Sequence, residues 1–252
     1  MQKVYRELTD KFRKQKGIIP HSTFRKVASK LNRDIDTSLL LLQASGYPIK
    51  QIGKNYILET YKRDYREERF CVIDIETNGS KPDEFQVIEI GAIMLQNGEI
   101  IDRFESLVKC DFIPEYITKI TGIDSKSLKD APSSREILQK FRLFLDSAVF
   151  VAHNVDFDFN FLNRSFQNLG LGSIGNFKIC SIELAKRTIE AKKYGLAHLN
   201  EILNLGTKTH HRAYSDALTT AKLLNILLSK VPKNIKSTDE LIRFTKENIK
   251  NK

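Results

Sequence analysis

An α/β layer fold behind a small, mostly helical unit is what this sequence predicts. Three observations carry that reading. Apolar, β-rich runs at Phe70–Ile75, Val87–Leu95 and Ile100–Val108 give way to longer segments of helical periodicity. Asn97-Gly98 joins the second and third runs, and this pair is a strong hairpin signal. Ahead of them Val4, Leu8 and Phe12 recur at helical spacing.

The elements follow in order. The first helix, residues 3–15, ends at Gly17 and Pro20. A second covers Ser22–Leu31, with Ser22 or Thr23 as cap and Phe24, Val27, Ala28 and Leu31 facing inward. A third spans Ile35–Ala44 and stops at Gly46. YPIKQIGKNYILET then gives two short strands around Gly53, Lys54 and Asn55. Three helices and a basic hairpin resemble a winged helix, which makes 1–59 a winged-helix-like α+β domain. Its recognition helix would be Ile35–Ser45, with Asp34, Asp36, Thr37, Ser38, Gln43 and Lys50 near the exposed side or wing. The four leucines Leu39–Leu42 are expected to be mostly buried, and no arginine lies in this helix. Nonspecific nucleic-acid contact and protein docking both remain open for it.

Residues 60–69, TYKRDYREER, are charged and read as a linker or connecting helix. In residues 70–230 the strands are followed by a helix capped by Ser133 or Ser134 and running through Leu145, and by a buried strand VFVA at 149–152. A helix then covers Asp156–Leu169, with Phe157, Phe161 and Leu162 inside. FKICSI (177–182) is a strand edge entering a helix, and Leu196–Leu203 and Tyr214–Leu228 are two more helices. Residues 231–252 are a basic tail in which Lys236–Asn251 forms a final amphipathic helix on Leu241, Ile242, Phe244 and Ile249.

Composition bounds the function. The net charge of +10 is uneven: residues 1–69 carry +8, residues 70–230 carry −1 and residues 231–252 carry +3. Two basic ends around a near-neutral middle suit a polyanionic partner. No apolar stretch is long enough to span a bilayer, so no membrane partner is expected. The opening MQKVYRELTDKF lacks an apolar leader core, and Cys71, Cys110 and Cys180 form neither a zinc pattern nor a disulfide framework. A cytoplasmic location is the expectation.

The chemistry concentrates in three segments. In Asp74-Ile75-Glu76 the period of two places both acids on one strand face. Carboxylates so placed are costly to desolvate unless they meet cations, and Mg²⁺ prefers oxygen ligands. HNVDFDFNFL adds His153, Asn154, Asp156 and Asp158, and HHRAYSDA adds His210, His211 and Asp216.

VIDIETNG, HNVDFDFNFL and HHRAYSDA, with IEIGAI (88–93) and ITGID (120–124), resemble the motifs of the DnaQ-like, DEDDh-type 3′–5′ exonucleases, the family of the proofreading epsilon subunit of DNA polymerase III. The resemblance spans roughly residues 68–230. It implies a ribonuclease H-like domain with a mixed central sheet. It implies Asp74, Glu76, Asp158 and Asp216 as ligands of two divalent cations, Mg²⁺ or Mn²⁺, and His211, five before the last aspartate, as general base. Ile75, Thr77 and Asn78 would hold the 3′ nucleotide, and His153 and Asn154 would shape the site. Two departures stand out: Asn78 replaces the usual Thr, and Cys180-Ser181 replaces Asp-Thr or Asp-Ser. The implied reaction is hydrolysis from the 3′ end to 5′-mononucleotides in DNA proofreading or repair. Nucleic acid with a free 3′ end, DNA before RNA, is the expected partner, with a replicative polymerase catalytic subunit as a second. RNA trimming, and an inactive nucleic-acid-binding or scaffold protein, are the alternatives.

Overall fold

The computed structural model describes residues 1–207 and 211–246. In the N-terminal unit α1 (Gln2–Lys14) leads into a short strand β1 (Ile18–Pro20), then α2 (His21–Ala28), α3 (Ile35–Ala44), the hairpin β2 (Ile49–Ile52) and β3 (Asn55–Leu58), and α4 (Glu59–Lys62). The sheet order is β1-β3-β2, all antiparallel. Strand β1 was not foreseen, because three residues are too few to show a period. The expected cap at Ser22 or Thr23 is replaced by an entry at Pro20, whose fixed φ suits the start of a helix. Asp34 caps α3 by accepting from Thr37 N–H at 2.8 Å.

Helix α3 corrects one expectation. Leu42 is fully buried, but Leu40 is 64% and Leu41 42% exposed. A run of four leucines covers all sides of a helix at 100° per residue, and only one side meets this small core. Ser38, expected near the surface, is buried, with its hydroxyl within hydrogen-bond reach of the Ala28, Asn32 and Asp34 carbonyls, to one of which it donates.

The larger unit is built on β4 (Phe70–Thr77), β5 (Val87–Gln96) and β6 (Glu99–Leu107), an antiparallel meander. After α5 (Glu115–Thr121), α6 (Ser125–Leu128) and α7 (Ser134–Leu145) come β7 (Val149–Ala152), α8 (Val155–Asn168), β8 (Lys178–Cys180), α9 (Ser181–Thr188), α10 (Leu196–Ile202), α11 (Ala213–Ser229) and α12 (Thr238–Phe244). The sheet order is β6-β5-β4-β7-β8, with β7 parallel to β4 and β8 parallel to β7. This is the mixed α/β, ribonuclease H-like architecture. Helices α5 and α6 had not been assigned from the sequence. Helix α12 covers only part of the segment expected to be helical, and Ile249 lies outside the described residues.

Alternation along β4 positions the chemistry. Phe70 and Val72 face the core that contains α11, whereas Cys71, Ile73 and Ile75 face the core of α7 and α8. Asp74 and Glu76 continue the α11-facing stripe.

The two units are in intimate contact. Arg13 donates from Nε and Nη2 to buried Asp239, at 3.0 and 2.7 Å. Arg142 donates to Ser45 O and Ser173 O, and Gly175 N–H to Ser45 O at 2.7 Å. Gly46 has φ +85°, and a Cβ there would come 2.1 Å from Asn176 Oδ1. Residues 60–69 share in this packing: Tyr65 and Glu68 are buried, and Tyr65 N–H donates to Lys236 O.

Candidate active site

Three acids of the three motifs converge. Asp74 and Glu76 on β4 and Asp216 in the first turn of α11 each offer a carboxylate oxygen, and these oxygens lie within 4.8 Å of one another. Asp158, in the first turn of α8, is buried beside them. It lies outside that mutual 4.8 Å set, and its charge acts on Asp74. Both helix-borne acids occupy positions where the helix dipole favours an anion.

The electrostatics are those of crowded, buried carboxylates. Burial first, then the charges of Asp158, Glu76, Asp216 and Glu89, push Asp74 well above the ordinary carboxylate range. Burial, then Glu89, Asp216 and Asp158, push Glu76 up to about 8, against a lowering by Arg212. Burial raises Asp158 to about 7, against the backbone N–H groups of Asp158 and Ile75. An all-oxygen set at such cost suits a hard divalent cation.

Two residues that sequence reasoning did not single out arrange this cluster. Glu89 pairs across the sheet from Glu76 and is buried. It accepts from Arg212 Nη2 at 2.6 Å and Nε at 3.1 Å, and from Ala213 N–H at 2.9 Å. Thus one buried carboxylate caps the first turn of α11 and fixes the residue after His211. Gly91 stands opposite Asp74, and a Cβ on it would meet Tyr214 N at 2.1 Å. The bare backbone there lets α11 lie directly on the sheet. IEIGAI and HHRA held both signals, since a buried Glu beside a Gly on one strand face calls for a close cationic neighbour.

The remaining predicted residues are placed as follows. His211 is exposed and precedes α11 with φ +49°. Asn154 is also left-handed, φ +77°, at the start of α8. Such backbone is uncommon outside glycine, and asparagine and histidine tolerate it better than most residues. His210 lies outside the described residues. His153 Nδ1 is 2.8 Å from Ser181 Oγ, and burial holds its pKa down to about 4, so the ring is neutral. Ser181, the residue after Cys180, thus engages the histidine. Thr77 donates to Gly79 O at 2.7 Å. Asn78 is turned into the loop: Nδ2 donates to Phe112 O at 2.9 Å, and Oδ1 accepts from Gln86 N–H at 2.7 Å. Phe161 is core, but Phe157, expected inside, is 37% exposed. Asp156, in the first turn of α8, pairs with Lys178 at 2.6 Å.

Comparison with known proteins agrees with this geometry. The family model described as Exonuclease matches residues 71–224. The DNA polymerase III PolC-type protein of Caldanaerobacter subterraneus subsp. tengcongensis is 39% identical over 178 residues, which are 69% of this chain and 13% of that protein. The 3′-5′ exonuclease DinG of Staphylococcus aureus is 33% identical over 166 residues, 65% of this chain and 18% of that one. The chain therefore spans less than a fifth of either relative. Exonuclease X, solved in complex with 5′ overhanging duplex DNA, superposes with a TM-score of 0.57 at 25% identity, covering 70% of this chain and 99% of its own. E. coli Exonuclease I, solved with a dA16 oligonucleotide, shares the fold at TM-score 0.58 and 16% identity, over 66% of this chain and 42% of its own. No helix among the described residues is long and apolar enough to cross a membrane. The chain belongs to the exonuclease family, as a DnaQ-like domain of the DEDDh type.

Proposed function

We propose that this chain hydrolyses nucleic acid from the 3′ end, releasing 5′-mononucleotides, with DNA preferred, in proofreading or repair. The observation that carries this is the meeting of Asp74, Glu76 and Asp216, with Asp158 beside them and His211 at the head of α11. Asp74, Glu76, Asp158 and Asp216 would hold two Mg²⁺ or Mn²⁺ ions, and their oxygen-only, mutually repelling donor set fits such ions. When bound, the ions supply Lewis acidity to the attacking water and to the leaving 3′ oxygen.

The chain's own residues supply the rest. His211 accepts the proton of the attacking water on an imidazole nitrogen, acting as general base. Its exposure lets the imidazolium return the proton to solvent. Glu89 and Arg212 position this histidine and Asp216. The Ile75–Asn78 backbone leads from the acids into the loop that receives the terminal nucleotide. Asn78 contributes by locking that loop to Phe112 and Gln86. His153 and Asn154 shape the turn that delivers Asp158.

The relatives' names, a DNA polymerase and an exonuclease held with DNA, support DNA as substrate and a replicative polymerase as partner. The test is a gel assay on 5′-labelled single-stranded DNA, 3′-mismatched duplex and RNA, with Mg²⁺ or Mn²⁺. Shortening of the DNAs from the 3′ end, absent in Asp74→Asn, is expected. No shortening of any strand would refute the reading. Co-purification with a polymerase catalytic subunit tests the partner.

A further inference from the structure

A cleft of about 420 Å³ separates α1 of the N-terminal unit from α8 and β8 of the exonuclease domain. Its walls carry Arg6, Arg13, Lys178 and Lys246, with Asn160 and Asn163 on the α8 side. Asp10 is the single carboxylate among the described lining residues. Arg13 is pinned by Asp239 and Lys178 by Asp156, both acids outside the lining. Arg6 and Lys246 make no ion pair among the described residues. Lys246 is exposed as a whole residue, yet desolvation, then the charges of Arg13 and Lys178, hold its ammonium below the ordinary lysine value, against a raising effect of Asp156 and Asp239. The cations are thus close enough to repel one another, and an anion between them would relieve that repulsion.

We propose that this interdomain cleft is a phosphate-binding subsite that grips the backbone of a nucleic-acid strand away from the 3′ end being cut. The proposal rests on the nuclease reading for its choice of ligand. Two features favour a strand. Successive residues of α8 turn by about 100°, so Asn160 lies about 200° round the helix from Asp158. One helix therefore carries an acid of the catalytic cluster on one side and amide donors for the cleft on the other. The opposite wall belongs to the unit that holds most of the chain's excess positive charge, +8 over residues 1–69. Backbone contacts of this kind track a strand without reading its sequence.

The test compares the full chain with Arg6→Ala/Lys246→Ala, neither residue belonging to the catalytic cluster. Binding is measured by fluorescence anisotropy on an Asp74→Asn background with a 20-nucleotide and a 4-nucleotide single strand over a range of salt. Hydrolysis of a chromogenic nucleoside 5′-phosphodiester by the Asp74 forms reports the catalytic centre alone. We expect the double variant to bind the 20-mer about tenfold more weakly. The slope of log K against log salt should fall by about 1.4, for two phosphates on a single strand. The tetranucleotide and the chromogenic ester should respond as in the parent. Titration calorimetry with thymidine 5′-monophosphate separates the sources: binding lost in the double variant, with the 20-mer unaffected, assigns the phosphate site to a free nucleotide. An unchanged 20-mer affinity and slope together with unchanged nucleotide binding would overturn the proposal, as would an equal loss on the tetranucleotide. If neither form hydrolyses any ester while the 20-mer response is as expected, the nuclease reading fails and the cleft assignment stands.

Discussion

Glu89 lies beside Glu76 on the neighbouring strand and is neutralised by Arg212, which it holds at 2.6 Å. Without Arg212, two acids of one face would confront each other at the edge of an acidic cluster. Arg212→Ala leaves a buried carboxylate unpaired, a change that costs about 3–5 kcal/mol in a fully buried pair; the 44% exposure of the Arg212 side chain reduces this to about 2 kcal/mol. The variant should melt several degrees lower. Turnover should fall because the start of α11, with His211 and Asp216, loses its anchor, and Arg212→Lys should recover only part of it, since one ammonium does not replace a two-pronged contact. Melting curves and turnover on single-stranded DNA check both.

Gly91 offers a sharper cut. A methyl group there meets the Tyr214 and Ala213 backbone at 2.1 and 2.2 Å, and backbone at a helix start does not swing aside as a side-chain tip does. Gly91→Ala should cost about 1–3 kcal/mol, the usual cost of overpacking. It should also lower turnover by shifting α11, and Asp216 with it, from Asp74. Ala92→Gly, next along the strand but facing the other core, should lose stability with turnover in the folded fraction preserved. Equal turnover in folded Gly91→Ala and parent would show that the close approach does not position the acids.

The strands and long helices were legible because each carries a clean period. Phe70–Ile75 is an apolar run broken only by Asp74, Ser134–Leu145 repeats at helical spacing, and Asn97-Gly98 marks the turn between β5 and β6. The acids were legible because Asp74 and Glu76 break an apolar stripe that would otherwise be core. Short elements were not: β1, α5 and α6 are too brief for a period to emerge. Leu40 and Phe157 were misjudged because apolarity does not say which side of a helix meets a partner. Glu89 and Arg212 were missed because their meaning lies in each other, 123 residues apart in the chain.

His211 stands ahead of α11 in a left-handed backbone conformation, exposed to solvent. His211→Ala should leave the fold and the acids in place and cut turnover by about 10²–10⁴-fold, the range for loss of a general base. Binding of Mn²⁺, followed by calorimetry, should stay within a few-fold of the parent. If His211→Ala keeps full turnover while His210→Ala loses it, the base lies one residue earlier.

The acids themselves predict how the metal-free protein responds to pH. Glu76 at about 8 and Asp158 at about 7 both lie above their ordinary values of 4.5 and 3.8, because burial and mutual repulsion disfavour their charged forms. A carboxyl raised on folding gives stability that is complete below its unfolded pKa and is lost as pH climbs through its folded one. In EDTA the melting temperature should therefore fall as pH rises from 5, most steeply between about pH 5 and 7, where the unfolded carboxyls are ionised and the folded ones are not, and level off above about pH 8. Mg²⁺ or Mn²⁺ should reverse the loss, and more strongly at pH 8 than at pH 6, since ligation requires the deprotonated acids. Asp74→Asn removes one of the repelling charges, so in EDTA at pH 8 it should melt above the parent even though it is inactive. A metal-free parent that gains stability from pH 5 to pH 9 would show that these carboxylates are not crowded in solution.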